Sequence, residues 1–261
     1  MSSLPTILLT GANRGLGLGF AKVYLDAGWR VLAAVRNPDG ATDLKTLGAG
    51  YGDQLSIHRL DLADFDTVDA LAAKLKDQPI DVLLGNAAKT TNPMSAVGDT
   101  DYAAWAEAFR VNCMGQMKLA ESFVSNLEAG DHKKMYFVSS RIGAKPPAGM
   151  ILFRSSKSAL NQVVMQLALL LAPRGIAVAC GHPGFVKSKS TEGMGVFEAE
   201  ESAGYLKKII DALTLETAGQ FFEPDGSTLS IVTRQMNPQA FGAKAPDAWD
   251  AQAEKRDAHK Q

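Results

Sequence analysis

The sequence predicts a doubly wound α/β domain, with a central parallel sheet of about seven strands and helices on both faces. Three observations predict it. Short apolar runs alternate with longer stretches of helical periodicity along most of the chain. A glycine-rich turn follows directly on the first apolar run and opens the first helical stretch. The balance of 46% hydrophobic and 21% charged residues over 261 positions is that of an ordinary globular protein.

The elements follow in order. Residues 6–9 read as the first strand and 16–27 as a helix, closed by Gly28. Strands are expected at 30–35, 55–60, 81–84, 134–139 and 176–182, with helices at 64–76, 101–127 and 153–171. Each strand is bounded by turn residues and separated from the next by a crossover, the pattern of a sheet buried on both faces. Beyond Pro183 the pattern weakens: a polar loop at 187–195, a helix at 198–215 and a last strand at 228–232. Residues 1–236 are expected to form one domain. Residues 237–261, rich in Ala, Pro and charge, read as an extension that is partly ordered at best.

Composition excludes several classes. The 27 basic and 28 acidic residues leave a formal charge of −1, so no global field draws the chain to nucleic acid or an anionic membrane. The longest apolar stretch, 163–172, is about half a membrane span, and the N-terminal residues lack the pattern of a secretory signal. Cys113 and Cys180 are too few for a disulfide framework and match no zinc spacing. No His, Cys or carboxylate cluster has metal-ligand spacing. The expectation is a cytoplasmic protein that acts on a small molecule, with no nucleic-acid, membrane or metal partner.

The turn Thr10-Gly-Ala-Asn-Arg-Gly-Leu-Gly17 carries the first functional signal. Glycines permit a tight reversal and a close backbone approach, and the helix N-terminus then offers free N–H groups and partial positive charge to a pyrophosphate. Gly11, Asn13, Arg14, Gly15, Leu16 and Gly17 are therefore candidate dinucleotide-binding residues. The end of the second strand selects the cofactor. An acidic residue there would meet a ribose 2′-hydroxyl, whereas a basic one accommodates a 2′-phosphate. This chain has Arg36 and no acid at Ala34 or Val35; Asp39 lies beyond Pro38. Arg14 adds a second guanidinium, and the pair favours NADP(H).

These residues resemble the short-chain dehydrogenase/reductase family over about 6–232. Thr10 to Gly17 resembles its TGxxxGxG motif, Asp61-Leu62 its adenine-side acidic position, and Gly85-Asn-Ala-Ala88 its NNAG turn, with Asn86 and Ala87 kept. Asn112 fits the helix asparagine, Ser140 the catalytic serine after the fifth strand, Lys157 the lysine of YxxxK, and Pro183-Gly184 the PG motif. The segment FFEPDGSTL, 221–229, resembles the carbonyl-reductase-like subgroup that includes C-factor proteins. The resemblance implies a Rossmann-type fold, a homodimer or homotetramer through the two long helices, and a cofactor held also by Ala88, Val186 and Ser188. It further implies that Lys157 binds the nicotinamide ribose, Ser140 holds the substrate oxygen, and Asn112 holds a water in a proton relay.

The departure lies at the reacting centre. Where the family has Tyr, this chain has Phe153, in Phe-Arg-Ser-Ser-Lys157. Hydride transfer to a carbonyl makes an alkoxide that needs stabilisation and a proton. Phe keeps the ring and cannot donate. Three accounts stay open: an introduced Tyr→Phe change in an ordinary reductase; a natural Phe, with Lys157, Ser140, water or Arg141 acting instead or with an imine as substrate; or a protein that holds NADPH without redox turnover, a cyclase or lyase being a further reading. Arg141, Met150 and Met194 join Ser140 and Phe153 as candidate substrate contacts, under a lid expected at 188–206. His182 reads as a hydrogen-bonded structural histidine.

Overall fold

The computed structural model describes residues 4–91, 98–144, 150–188, 191 and 193–230. Its sheet has the order β3-β2-β1-β4-β5-β6-β7-β8. The strands are β1 (Thr6–Thr10), β2 (Arg30–Val35), β3 (Leu55–Arg59), β4 (Val82–Gly85), β5 (Lys134–Val138), β6 (Ala177–Gly181), β7 (Phe221–Phe222) and β8 (Thr228–Leu229). Seven strands run parallel, six of them where the sequence places strands; β8, at the start of the seventh expected strand, adds an antiparallel edge to β7. The central strands β1, β4 and β6 are buried at every position, which is why they read as continuous apolar runs rather than alternating ones.

The helices are α1 (Gly15–Asp26), α2 (Thr42–Gly48), α3 (Phe65–Lys74), α4 (Tyr102–Phe109), α5 (Gly115–Ala129), α6 (Ile151–Leu171) and α7 (Ala199–Ala212). On one face α1 and α7 cover the sheet, burying Phe20, Tyr24, Leu206 and Ile210 in one cluster with Tyr136 and Phe222. The long helix expected at 101–127 is α4 and α5 joined through one π-helical turn, Arg110–Met114. Such a turn widens the backbone ladder and often marks a functional position. Strand order reverses between β1 and β4, where doubly wound sheets open a crevice for ligands at their carboxyl ends.

Three expectations change. The lid does not extend to 206, because residues 199–206 belong to α7. Ser202, Ala203 and Leu206 are fully buried there, and the Ser202 hydroxyl donates to the Pro183 carbonyl at 2.6 Å. The short helix α2 and the two-residue strand β7 went unpredicted: α2 buries only Leu44, and β7 exists through its pairing with β6. Of the strand expected at 228–232, Thr228–Leu229 is seen; residues 231–232 and the extension at 237–261 lie outside the described residues.

Candidate active site

The glycine-rich turn forms where β1 hands over to α1. Gly11 sits at φ +70°, a conformation a side chain would strain. A Cβ on Gly17 would lie 2.0 Å from the Gly11 carbonyl oxygen and 2.8 Å from Asn86 Nδ2. The turn after β1 and the turn after β4 thus meet at a spacing only glycine allows. Polar contacts lock them: Thr10 Oγ1 accepts from the backbone N–H groups of Asn86 and Ala87 at 3.0 and 3.1 Å, while Asn86 Nδ2 donates to the Thr10 carbonyl at 3.0 Å. Gly15 faces the open side, with Ser188 Cβ the nearest atom at 3.8 Å from where its own Cβ would stand. The first turn of α1 has no acidic residue and no side-chain cap. Its N-terminus is therefore a ready anion site.

Sequence reading missed Gln116. It is fully buried on α5, and its Nε2 donates to the Ala87 carbonyl at 2.8 Å. A Cβ on Gly85 would lie 2.4 Å from Gln116 Oε1 and 2.5 Å from the Phe137 ring. Gly85 and Gln116 therefore form one unit, and the departure from NNAG at Gly85 was the available signal. Ala88, beyond the turn, is exposed.

Arg36 follows β2 directly. Both Arg36 and Arg14 are exposed, and among the described residues neither pairs with a carboxylate. Asp61 follows β3 with its carboxylate accepting from the Ala63 N–H at 3.0 Å, and Leu62 beside it is buried. The second end of the crevice is built by Pro183, by Gly184 at φ +81°, and by Val186, whose buried side chain lies where the chain bridges to Phe197.

At the reacting centre, Ser140 caps a short turn after β5, and its Oγ accepts from the Ile142 N–H at 3.4 Å. Phe153 and Lys157 stand one turn apart on α6 and so share a face. Lys157 is buried; its Nζ donates to the Val138 carbonyl at 2.8 Å and lies 5.8 Å from the Phe153 ring centroid. Burial lowers its pKa from 10.5 to about 8. The unfolded chain therefore holds the extra proton between about pH 8 and 10.5, and this residue's contribution to stability rises with pH through that window. Urea melts of the native chain and a Lys157→Met variant are expected to show that difference between pH 7.5 and 9.5; parallel pH slopes would contradict it.

Two expected site residues have defined protein partners. The Asn112 side chain is committed to protein: Oδ1 accepts from the Lys89 N–H at 2.7 Å, and Nδ2 donates to the Lys89 carbonyl and to Ser156 Oγ, both at 2.9 Å. With both amide hydrogens engaged, Asn112 clamps the loop after β4 and the π turn onto α6. The Arg141 guanidinium lies 3.3 Å from Glu223 and is 55% exposed. Met150 occupies a left-handed position at φ +54° before α6, half-buried, and Met194 is 59% exposed.

No other tyrosine replaces the missing hydroxyl. The Tyr136 hydroxyl is buried in the cluster under α1 and α7, and that of Tyr205 donates to Glu201 at 3.0 Å. Burial and the Arg141 charge lower the His182 pKa to about 4, and its Nδ1 is buried without a partner, contrary to the structural histidine expected. Cys113 is half-buried and Cys180 buried, both as free thiols. Among the described residues no cluster could hold a metal ion, and no helix is long and apolar enough to cross a membrane.

A family model described as short chain dehydrogenase matches residues 5–198. The C-signal protein of Myxococcus xanthus is 31% identical over 161 residues, covering 60% of this chain and 96% of its own. A 1-hydroxy-2-glutathionyl-2-methyl-3-butene dehydrogenase of Rhodococcus sp. (strain AD45) is 29% identical, covering 87% and 99%. Among solved structures, the carbonyl reductase Sniffer of D. melanogaster superposes with a TM-score of 0.80 at 27% identity, covering 87% of this chain and 99% of its own. A Burkholderia multivorans protein described as a short-chain dehydrogenase/reductase, with bound NADP, superposes at 0.79 and 29% identity with the same coverage.

Proposed function

Because the chain belongs to the short-chain dehydrogenase family, whose model matches residues 5–198, we propose that it is an NADP(H)-dependent oxidoreductase acting on an apolar or medium-sized carbonyl or imine. The observation that carries the reading is the crevice itself. The Gly11–Gly17 turn leaves room only for backbone on its inner side and opens an uncapped helix N-terminus on the other, with the two exposed arginines Arg14 and Arg36 alongside. A pyrophosphate fits the helix end and a 2′-phosphate the guanidinium pair. The NADP bound in the similar Burkholderia multivorans structure supports the same choice.

In this reading the bound dinucleotide supplies the hydride. Asn13, Gly15 and Leu16 line the phosphate end; Asp61 and Leu62 face the adenine; Asn86, Ala87 and Ala88 border the ribose; Pro183, Gly184, Val186 and Ser188 border the nicotinamide. The buried Lys157 ammonium holds the nicotinamide ribose. The Ser140 hydroxyl donates to the substrate oxygen as charge develops there. Phe153 packs against the substrate and supplies no proton. The proton then comes from Lys157, whose lowered pKa of about 8 makes it a better acid than a free lysine, from Ser140 or water, or it arrives on an imine already protonated. Exposed Tyr102 on α4 and Leu169 and Leu170 on α6 support assembly as a homodimer or homotetramer.

Arg36→Asp tests the cofactor assignment. NADPH binding, followed by nicotinamide fluorescence, is expected to weaken by roughly 10- to 100-fold, the worth of a hydrogen bond to a charged group. NADH binding should change by less than about threefold. Equal losses for the two cofactors would sink the 2′-phosphate assignment.

A further inference from the structure

Beyond the reacting centre, a cleft of about 1050 Å³ opens at the carboxyl ends of β6 and β7, walled on its far side by α7. Phe197, Tyr205 and Phe222 give it an aromatic lining, and His182, Glu223 and Arg141 line it too. It adjoins the catalytic machinery through two covalent neighbours: Arg141 follows Ser140, and His182 precedes Pro183.

Two side-chain atoms of that lining are buried and lack any hydrogen-bond partner, His182 Nδ1 and Glu223 Oε1. They belong to adjacent positions. Gly181 pairs with Phe222 in the parallel register, and the His182 N–H donates to the Phe222 carbonyl at 2.9 Å. Continuing that register by one residue would set His182 beside Glu223, just beyond the strand ends. Arg141 Nε approaches Glu223 Oε1 to 3.3 Å, which balances the charge without an aligned hydrogen bond. Arg141 is 55% exposed, and such an exposed pair is weak. Its side chain can swing aside on the timescale of ordinary rotamer changes. Orphaned buried polar atoms carry a cost, and a ligand group that satisfies both would remove it.

We propose that this cleft receives the distal part of the substrate, and that the substrate is a neutral, ring-bearing molecule whose hydroxyl is held between His182 and Glu223. A hydroxyl fits both orphans at once: its O–H donates to the Glu223 carboxylate, and its oxygen accepts from the ring N–H of a neutral His182. Arg141 and Lys208 balance Glu223 and Asp225 around the cleft, so nothing there selects a charged ligand. The aromatic walls select a flat or ring-bearing body. The assignment of this ligand as substrate rests on the oxidoreductase reading; the cleft's binding chemistry does not.

The test is a calorimetric titration of the full chain with 2-naphthol and with 2-methoxynaphthalene, each with and without saturating NADPH. The two probes share the ring system, but only the naphthol can donate. Native protein is expected to bind 2-naphthol at least about tenfold more tightly, as one charge-assisted hydrogen bond implies. Glu223→Leu should reduce that preference to within twofold while leaving the 2-methoxynaphthalene affinity in place. His182→Phe should reduce it independently, and thermal melts establish that both variants fold. Equal affinities in the native chain, a preference that survives both substitutions, or no binding of either probe would each overturn the proposal. The titration needs no hydride transfer, so a chain that binds naphthol and consumes no NADPH fails the oxidoreductase reading alone.

Discussion

Phe153→Tyr is expected to raise turnover of carbonyl substrates by roughly 10²- to 10⁴-fold, the range a positioned general acid supplies. Phe153 is 9% exposed in the first turn of the long helix α6, and the Lys157 ammonium lies 5.8 Å from its ring centroid, one helical turn on. A phenol there would stand beside a buried cation that favours its ionised form. The gain should fall in kcat, because the ring already packs and only the transition state uses the new proton. NADPH affinity should stay within about threefold, and an imine substrate should gain far less than a ketone. Steady-state kinetics on matched ketone and imine pairs measure both. An unchanged ketone rate would show that Phe153 does not stand where the proton is needed.

Gly17→Ala should abolish cofactor binding, with at least a hundredfold rise in the NADPH Kd. The added Cβ would meet the Gly11 carbonyl oxygen at 2.0 Å, and this obstacle is backbone rather than a movable side chain. Relief requires the turn after β1 and the Asn86 turn to part, which breaks the Asn86 bonds to Thr10 and Gly11. Overpacking of this kind costs about 1–3 kcal/mol in stability. Gly204→Ala is the control. Gly204 sits inside α7 with nothing within 4 Å of its added Cβ, so the same change there should stabilise the fold by about 0.5–1 kcal/mol and leave binding unaltered. Fluorescence titration and urea melts on the two variants separate the effects. Tight NADPH binding by Gly17→Ala would contradict the placement of the cofactor on this turn.

Much of the fold was legible because the buried strands carry their own signal. The apolar runs of β1, β2, β4, β5 and β6 are bounded by turn residues, and the structure moves their ends by at most one position. What escaped was set by tertiary pairing. The two-residue β7 has no periodicity to read, and α2 has one buried side chain. The π turn between α4 and α5 is invisible in a helical pattern, since Asn112 reaches across to Lys89 and Ser156 from elements 23 and 44 residues away. The site divides in the same way. The glycine turn could be read because backbone geometry limits its residues. The commitment of Asn112, the pairing of Arg141 with Glu223 and the support of Ala87 by Gln116 depend on distant partners that no local spacing encodes. The Gly85 departure alone pointed towards one of them.

The measurement that bears most directly on the proposed oxidoreductase is isotope transfer. Native chain and Phe153→Tyr would each be incubated with NADPH carrying deuterium at the nicotinamide C4, together with a panel of ring-bearing ketones and imines. The products would then be weighed by mass spectrometry. One deuterium is expected on the former carbonyl or imine carbon, with the native chain labelling imines and, far more slowly, ketones, and the tyrosine variant labelling both readily. NADPH bound by both proteins with no deuterium in any product would contradict it, and would leave a cofactor-holding protein without redox turnover.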